Sequence, residues 1–229
     1  MPHKTCGKGA AMKVGAFLFD LDGTLVDTEA IWTRAIVDFV VSRGGETSFE
    51  EILPTVIGRN WIDIDRALHE RFPVLGDSTA MEDARDLRAF YDRIAGDGES
   101  LVIRDSVEFF RRAAALAPCA IVSGSPHDDI IKMARLCGIE PLLKLVLGAG
   151  EYAAGKPDPS GYLKAASLLG VDPASCVVVE DSSVGVKAGV DAGMKVIALA
   201  RPSLVPQSYS GETWKVSSLA EIDFGKEFS

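Results

Sequence analysis

The chain has 229 residues, 47% of them hydrophobic, with 24 basic against 33 acidic side chains and a net charge of −9. That is enough length and apolar material for one large or two modest domains around a true core, which excludes a disordered polar chain. The basic residues are scattered, which argues against nucleic acid or an anionic membrane as partner, and no apolar run approaches the ~20 residues of a membrane span, so the expected location is the cytoplasm.

Residues 1–11 read as a leader without a part in function. The first element is a strand over residues 14–19 that ends abruptly in Asp20-Leu21-Asp22-Gly23-Thr24. Two carboxylates one residue apart repel unless a cation or a shared proton offsets them, and a magnesium-dependent phosphoryl-transfer site explains the pair best. Nearly a hundred residues follow with little strand character, too many for one crossover helix, so an inserted unit is expected. In it Ile31, Ala35, Phe39 and Val40 recur at helical spacing, as do Ile64, Leu68 and Phe72 after Asn60, and Leu87, Tyr91 and Ile94 before Gly96.

A second strand over 119–122 ends in Ser123-Gly124-Ser125, a helix spans 128–136, and a third strand over 142–147 leads to Gly155-Lys156-Pro157-Asp158. A helix over 160–169 precedes a fourth strand, 176–179, which ends in Glu180-Asp181; a helix over 184–192 and a fifth strand over 195–199 complete the pattern. Strands alternating with helices predict a parallel α/β sheet covered on both faces. The boundaries read as 1–27 and 99–229 for the core and 28–98 for an all-helical insertion, joined by two linkers that form a natural hinge. Cys6, Cys119, Cys137 and Cys176 form no Cys-x-x-Cys pair and read as reduced.

Each polar cluster follows a strand, and the carboxyl ends of strands in an open parallel sheet share one crevice, so Asp20, Asp22, Ser123, Lys156, Glu180 and Asp181 should converge. In this order, with a helical insertion after the first motif, they resemble the haloacid dehalogenase superfamily, specifically its β-phosphoglucomutase-like phosphatases, over residues 14–200. The resemblance implies a Rossmann-like doubly wound core, a mobile helical cap and Mg2+-dependent phosphoryl transfer through an aspartyl-phosphate. On it, Asp20 is the nucleophile and Asp22 the general acid and base. Ser123 and Gly124 hold the phosphoryl group, and Lys156 supplies a fixed positive charge. Asp181 joins Asp20 and the Asp22 carbonyl as a magnesium ligand, Glu180 orients the lysine or a water, and Thr24 bonds within its loop. Arg59 and His127 are candidate substrate contacts, and the substrate is a small phosphate ester such as a sugar, sugar-acid or polyol monophosphate.

The segment 150–156 imitates a phosphate-binding P-loop, but Pro157 stands where the metal-binding hydroxyl belongs. Within the family, Trp32, Ile57 and Trp61 occupy positions where the mutases carry His, Lys and Arg, which favours hydrolysis over a phosphomutase. A noncatalytic phosphometabolite-binding module is the rival from another class; keeping both a nucleophile and an adjacent acid argues against it. A monomer is expected from the lack of a long exposed apolar stripe.

Overall fold

The computed structural model describes residues 11–56, 61–96, 101–201 and 207–229. Six parallel strands form one sheet in the order β3-β2-β1-β4-β5-β6: β1 (Ala16–Phe19), β2 (Cys119–Val122), β3 (Leu143–Leu147), β4 (Cys176–Glu180), β5 (Lys195–Leu199) and β6 (Trp214–Val216). The chain builds outward from β1 in one direction through β2 and β3, then returns to the other side for β4 to β6. The strand order therefore reverses beside β1, and the crevice at that reversal is where such sheets bind ligands.

Alternation along β1 fixes the two faces. Phe17 and Phe19 point to one side, into a cluster with Phe109 and Phe110 of α5 (Arg104–Leu116). Ala16 and Leu18 point to the other, against Tyr162 of α7 (Ser160–Leu169) and Val186 of α8 (Ser183–Asp191). All four β1 residues are fully buried, as a central strand with helices on both faces requires. The remaining core helix next to the site is α6 (His127–Leu136), and α9 (Phe224–Glu227) brings Phe224 and Phe228 against Phe17.

Between β1 and α5 the described residues carry no strand of the sheet but four helices: α1 (Glu29–Ser42), α2 (Phe49–Val56), α3 (Trp61–Arg71) and α4 (Ala80–Ala95). Helix α4 starts with a capping box, in which Thr79 accepts from the Glu82 amide while Glu82 accepts from the Thr79 amide. The two connections pair with each other: the Asp27 amide donates to Leu101 O at 2.8 Å and the Ile103 amide to Leu25 O at 3.0 Å. A short two-stranded tie of this kind holds insertion and core at one narrow place.

The sheet has one strand more than the sequence pattern predicts. Strand β6 is three residues long at the sheet edge, with Lys215 exposed, so it offers no apolar run. Helix α2 was also missed; Pro54 lies inside it. Phe72 falls just beyond α3 and is buried against the same cluster. Asn60, expected as an N-cap, lies outside the described residues.

Candidate active site

Strand β1 delivers Asp20 to the centre of the sheet's carboxyl edge, where its amide still pairs with Val179 O of β4. Directly after it the chain turns back through Gly23, whose φ of +82° only glycine adopts without strain and whose Cβ, were there one, would lie 2.1 Å from Asp181 Oδ2. The Thr24 amide donates to Leu21 O at 3.3 Å within the loop, and its hydroxyl donates to Asp181 Oδ1 at 3.3 Å, at the end of β4. The loop of the first motif and the acid of the last are thus packed together.

Lys156 extends between them. Its Nζ lies 2.5 Å from Asp20 Oδ1, 2.6 Å from Glu180 Oε1 and 3.0 Å from Val122 O. Glu180 is completely buried and takes three further bonds, from Tyr162 OH at 2.7 Å, Ser182 Oγ at 3.1 Å and the Ser182 amide at 3.3 Å. A Cβ at position 185 would sit 1.9 Å from Glu180 Oε1, so the glycine in the first turn of α8 makes the room this carboxylate needs. Glu180 thus holds one side of the Lys156 ammonium.

One oxygen each from Asp20, Glu180 and Asp181 lie within 4.8 Å of one another. Burial pushes the Asp20 carboxyl up to about 8, with Glu180 and Asp22 adding to the rise and Lys156 opposing it. Asp181 is raised well above the ordinary carboxylate range, again by burial first and then by Asp20 and Glu180. Burial alone would lower the Lys156 pKa, but Asp20 and Glu180 outweigh it and hold the ammonium charged. Three carboxylates facing one ammonium leave two negative charges uncompensated, which a divalent cation would cancel. The donor set is all oxygen, as a magnesium ion requires.

Asp22 lies on the other side of Asp20 and has a different environment. Thr28 donates to its Oδ1 at 2.5 Å, and Ser125 and Ser123 donate to its Oδ2 at 2.7 and 3.2 Å. Ser123 is held in turn, its Oγ accepting from the Ser125 amide at 3.0 Å and its carbonyl from Tyr152 OH at 2.8 Å.

Asp20, Asp22, Ser123, Gly124, Lys156 and Asp181 all line one cavity of about 800 Å3, whose opposite wall is made by Trp32, Ile36, Val56, Trp61, Arg85 and Arg88 from the helical insertion. Asp129 of α6 lines it too and is bonded to Arg88 Nη1 at 3.1 and 3.2 Å, so an ion pair crosses from insertion to core at the rim. Glu180 and Thr24 are behind this surface. His127 is turned to Glu151, 3.0 Å away, and is not among the residues lining the cavity. Arg59, the other candidate contact, lies outside the described residues. Thr28, Arg85, Arg88 and Asp129 carry no sequence motif; their place is set by how two units face each other.

An acidic cluster and a lysine gathered at the switch point of a parallel α/β sheet, roofed by helices, define a hydrolase of the phosphoryl-transfer kind in its architecture. The family model for haloacid dehalogenase-like hydrolases matches residues 14–193, and the chain belongs to that family. It is 28% identical over 218 residues to hexitol phosphatase B of Escherichia coli (strain K12), covering 90% of this chain and 93% of that protein. It is 31% identical over 206 residues to hexitol phosphatase A of the same strain, covering 86% and 88%. Among solved structures, a HAD family hydrolase from Deinococcus radiodurans R1 with bound phosphate and sodium superposes with a TM-score of 0.68 at 28% identity, over 91% of this chain and 93% of that one.

Proposed function

We propose that this enzyme is a magnesium-dependent phosphatase that hydrolyses a small phosphate monoester, a sugar, sugar-acid or polyol phosphate, through a phosphoryl group carried on Asp20. The observation that supports it most is the meeting of Asp20, Asp22, Lys156 and Asp181 at one cavity, from three separate points of the chain. In this reading an Asp20 carboxylate oxygen attacks phosphorus, forming the acyl phosphate as the ester bond to the alkoxide breaks. Asp22 gives that alkoxide its proton and then takes one from the water that cleaves the acyl phosphate. Ser123, Gly124 and Lys156 hold the phosphoryl oxygens, whose charge persists throughout. Asp20, the Asp22 carbonyl and Asp181 would hold Mg2+, which supplies charge neutralisation at the phosphoryl group.

Hydrolysis is favoured over mutase chemistry because the wall opposite Asp20 presents Trp32 and Trp61, and Trp61 is fixed by donating to Ala80 O at 2.8 Å. The cations on that wall, Arg88 and Arg85, are paired with Asp129 and Asp86. A mutase must grip two phosphates, and this wall is better suited to the carbon chain of a monophosphate. We take residues 28–98 as the cap, hinged at the paired linkers, and the working unit as a monomer.

The test is phosphate release from an aryl phosphate and from a panel including hexitol and sugar-acid phosphates. Turnover that requires Mg2+ and stops with EDTA is expected; no release from any of them would overturn the reading, and conversion of a sugar 1-phosphate to its isomer without free phosphate would favour the mutase.

A further inference from the structure

We propose that Asp65, His69 and Asp83 form a second metal site, in the helical insertion and apart from the catalytic cavity, that takes a divalent transition ion of the zinc class. Asp65 and His69 lie one turn apart on α3, and Asp83 projects from the first turn of α4. Their ligand atoms lie within 4.8 Å of one another. His69 Nε2 is 2.8 Å from Asp83 Oδ2 and 3.8 Å from Asp65 Oδ1. None of the three lines the catalytic cavity.

The histidine's other nitrogen decides what the first one can do. His69 Nδ1 lies 3.1 Å from Gly76 O, and a carbonyl only accepts, so Nδ1 carries a proton. Nε2 then either bears a second proton or turns a lone pair toward two carboxylates. The second arrangement is repulsive unless a cation lies between them, and a ring nitrogen bonded to a carbonyl behind is how proteins orient a metal-binding imidazole.

The carboxylates carry the second observation. Asp83 is 1% exposed and Asp65 9%, yet Oδ1 of each is buried with no hydrogen-bond partner among the described residues. Buried carboxylate oxygens are costly when left unpaired. The Asp65 carboxyl is raised by burial, with His69 opposing and Asp83 adding to the rise. Burial pulls the His69 pKa down, but Asp83 and Asp65 more than restore it, so it too is raised. One imidazole with two carboxylates suits Zn2+ or Co2+ better than Mg2+, which prefers an all-oxygen shell.

The chain has only three histidines, His3, His69 and His127. A His3→Gln, His127→Gln double variant leaves His69 as the single imidazole, to be followed by proton NMR against pH with Mg2+ saturating the catalytic site. One equivalent of Zn2+ is expected to shift that resonance and abolish its titration near neutral pH. Calorimetry should show His69→Gln binding Zn2+ at least about tenfold more weakly, with folding checked by circular dichroism. A His69 resonance that titrates identically with and without Zn2+ overturns the proposal, as does a folded His69→Gln variant that keeps the bound equivalent.

Discussion

Lys156 bonds Asp20 Oδ1 at 2.5 Å and Glu180 Oε1 at 2.6 Å with only 13% of its side chain exposed, so its charge cannot be replaced by water. Truncating one member of a buried ion pair leaves the rest uncompensated, which costs about 3–5 kcal/mol. Lys156→Met should therefore lose stability on that order at neutral pH, measured by urea unfolding, as well as turnover. Asp20→Asn acts in the opposite sense on the same cluster, because it removes the carboxyl whose ionisation burial and the neighbouring acids oppose. We expect it to fold at least as stably as the parent protein without metal while turnover falls by roughly a thousandfold or more. Equal destabilisation by both would mean the cluster is not short of positive charge. That these residues would meet was legible in the sequence because their motifs lie beyond strand ends; the hydroxyls of Thr28 and Ser125 on Asp22 were not, since a serine or threonine in a loop carries no signal of where its proton goes.

At the scale of elements, the strand-ending motifs could be placed because β1, β2 and β4 are short, fully buried and bounded by polar residues, the pattern a central parallel strand must have. What could not be read is how the insertion meets the core. Arg88 of α4 and Asp129 of α6 are 41 positions apart, and their pairing depends on the orientation of two packed units. The side chains are 36% and 34% exposed, so solvent screens the pair and it adds under about 1 kcal/mol to stability. On the proposed hinged cap, a pair that joins insertion to core beside the cavity bears on closure more than on folding. Arg88→Ala should shift the unfolding midpoint little yet raise KM several-fold, the effect shrinking at high salt. A KM unchanged across salt concentrations would remove the pair from any part in closing the site. Helix α2 shows the same limit differently: its pattern is interrupted by Pro54, and packing against α1 and α3 decides its conformation.

Across the whole molecule, the −9 net charge and the buried carboxylate cluster act together on stability. Asp20 goes from 3.8 to about 8 on burial, and Asp181 also rises. Between those values the native state binds more protons than the unfolded chain, so the stability of the metal-free protein falls as pH rises. The contribution is fully present below pH 3.8 and is lost as pH climbs through about 8. On the proposed magnesium site, Mg2+ competes with the same protons and binds only the folded cluster, so its stabilisation grows over that window. The gain in melting temperature on adding Mg2+ should be small near pH 5 and largest near pH 8, and it should be much reduced in Asp181→Asn. Zinc at Asp65, His69 and Asp83 would stabilise too, so the scan is run in Mg2+ alone and repeated in His69→Gln, where the Mg2+ gain should be unchanged. A gain that stays flat with pH, or survives intact in Asp181→Asn, would place the ion somewhere other than between Asp20 and Asp181.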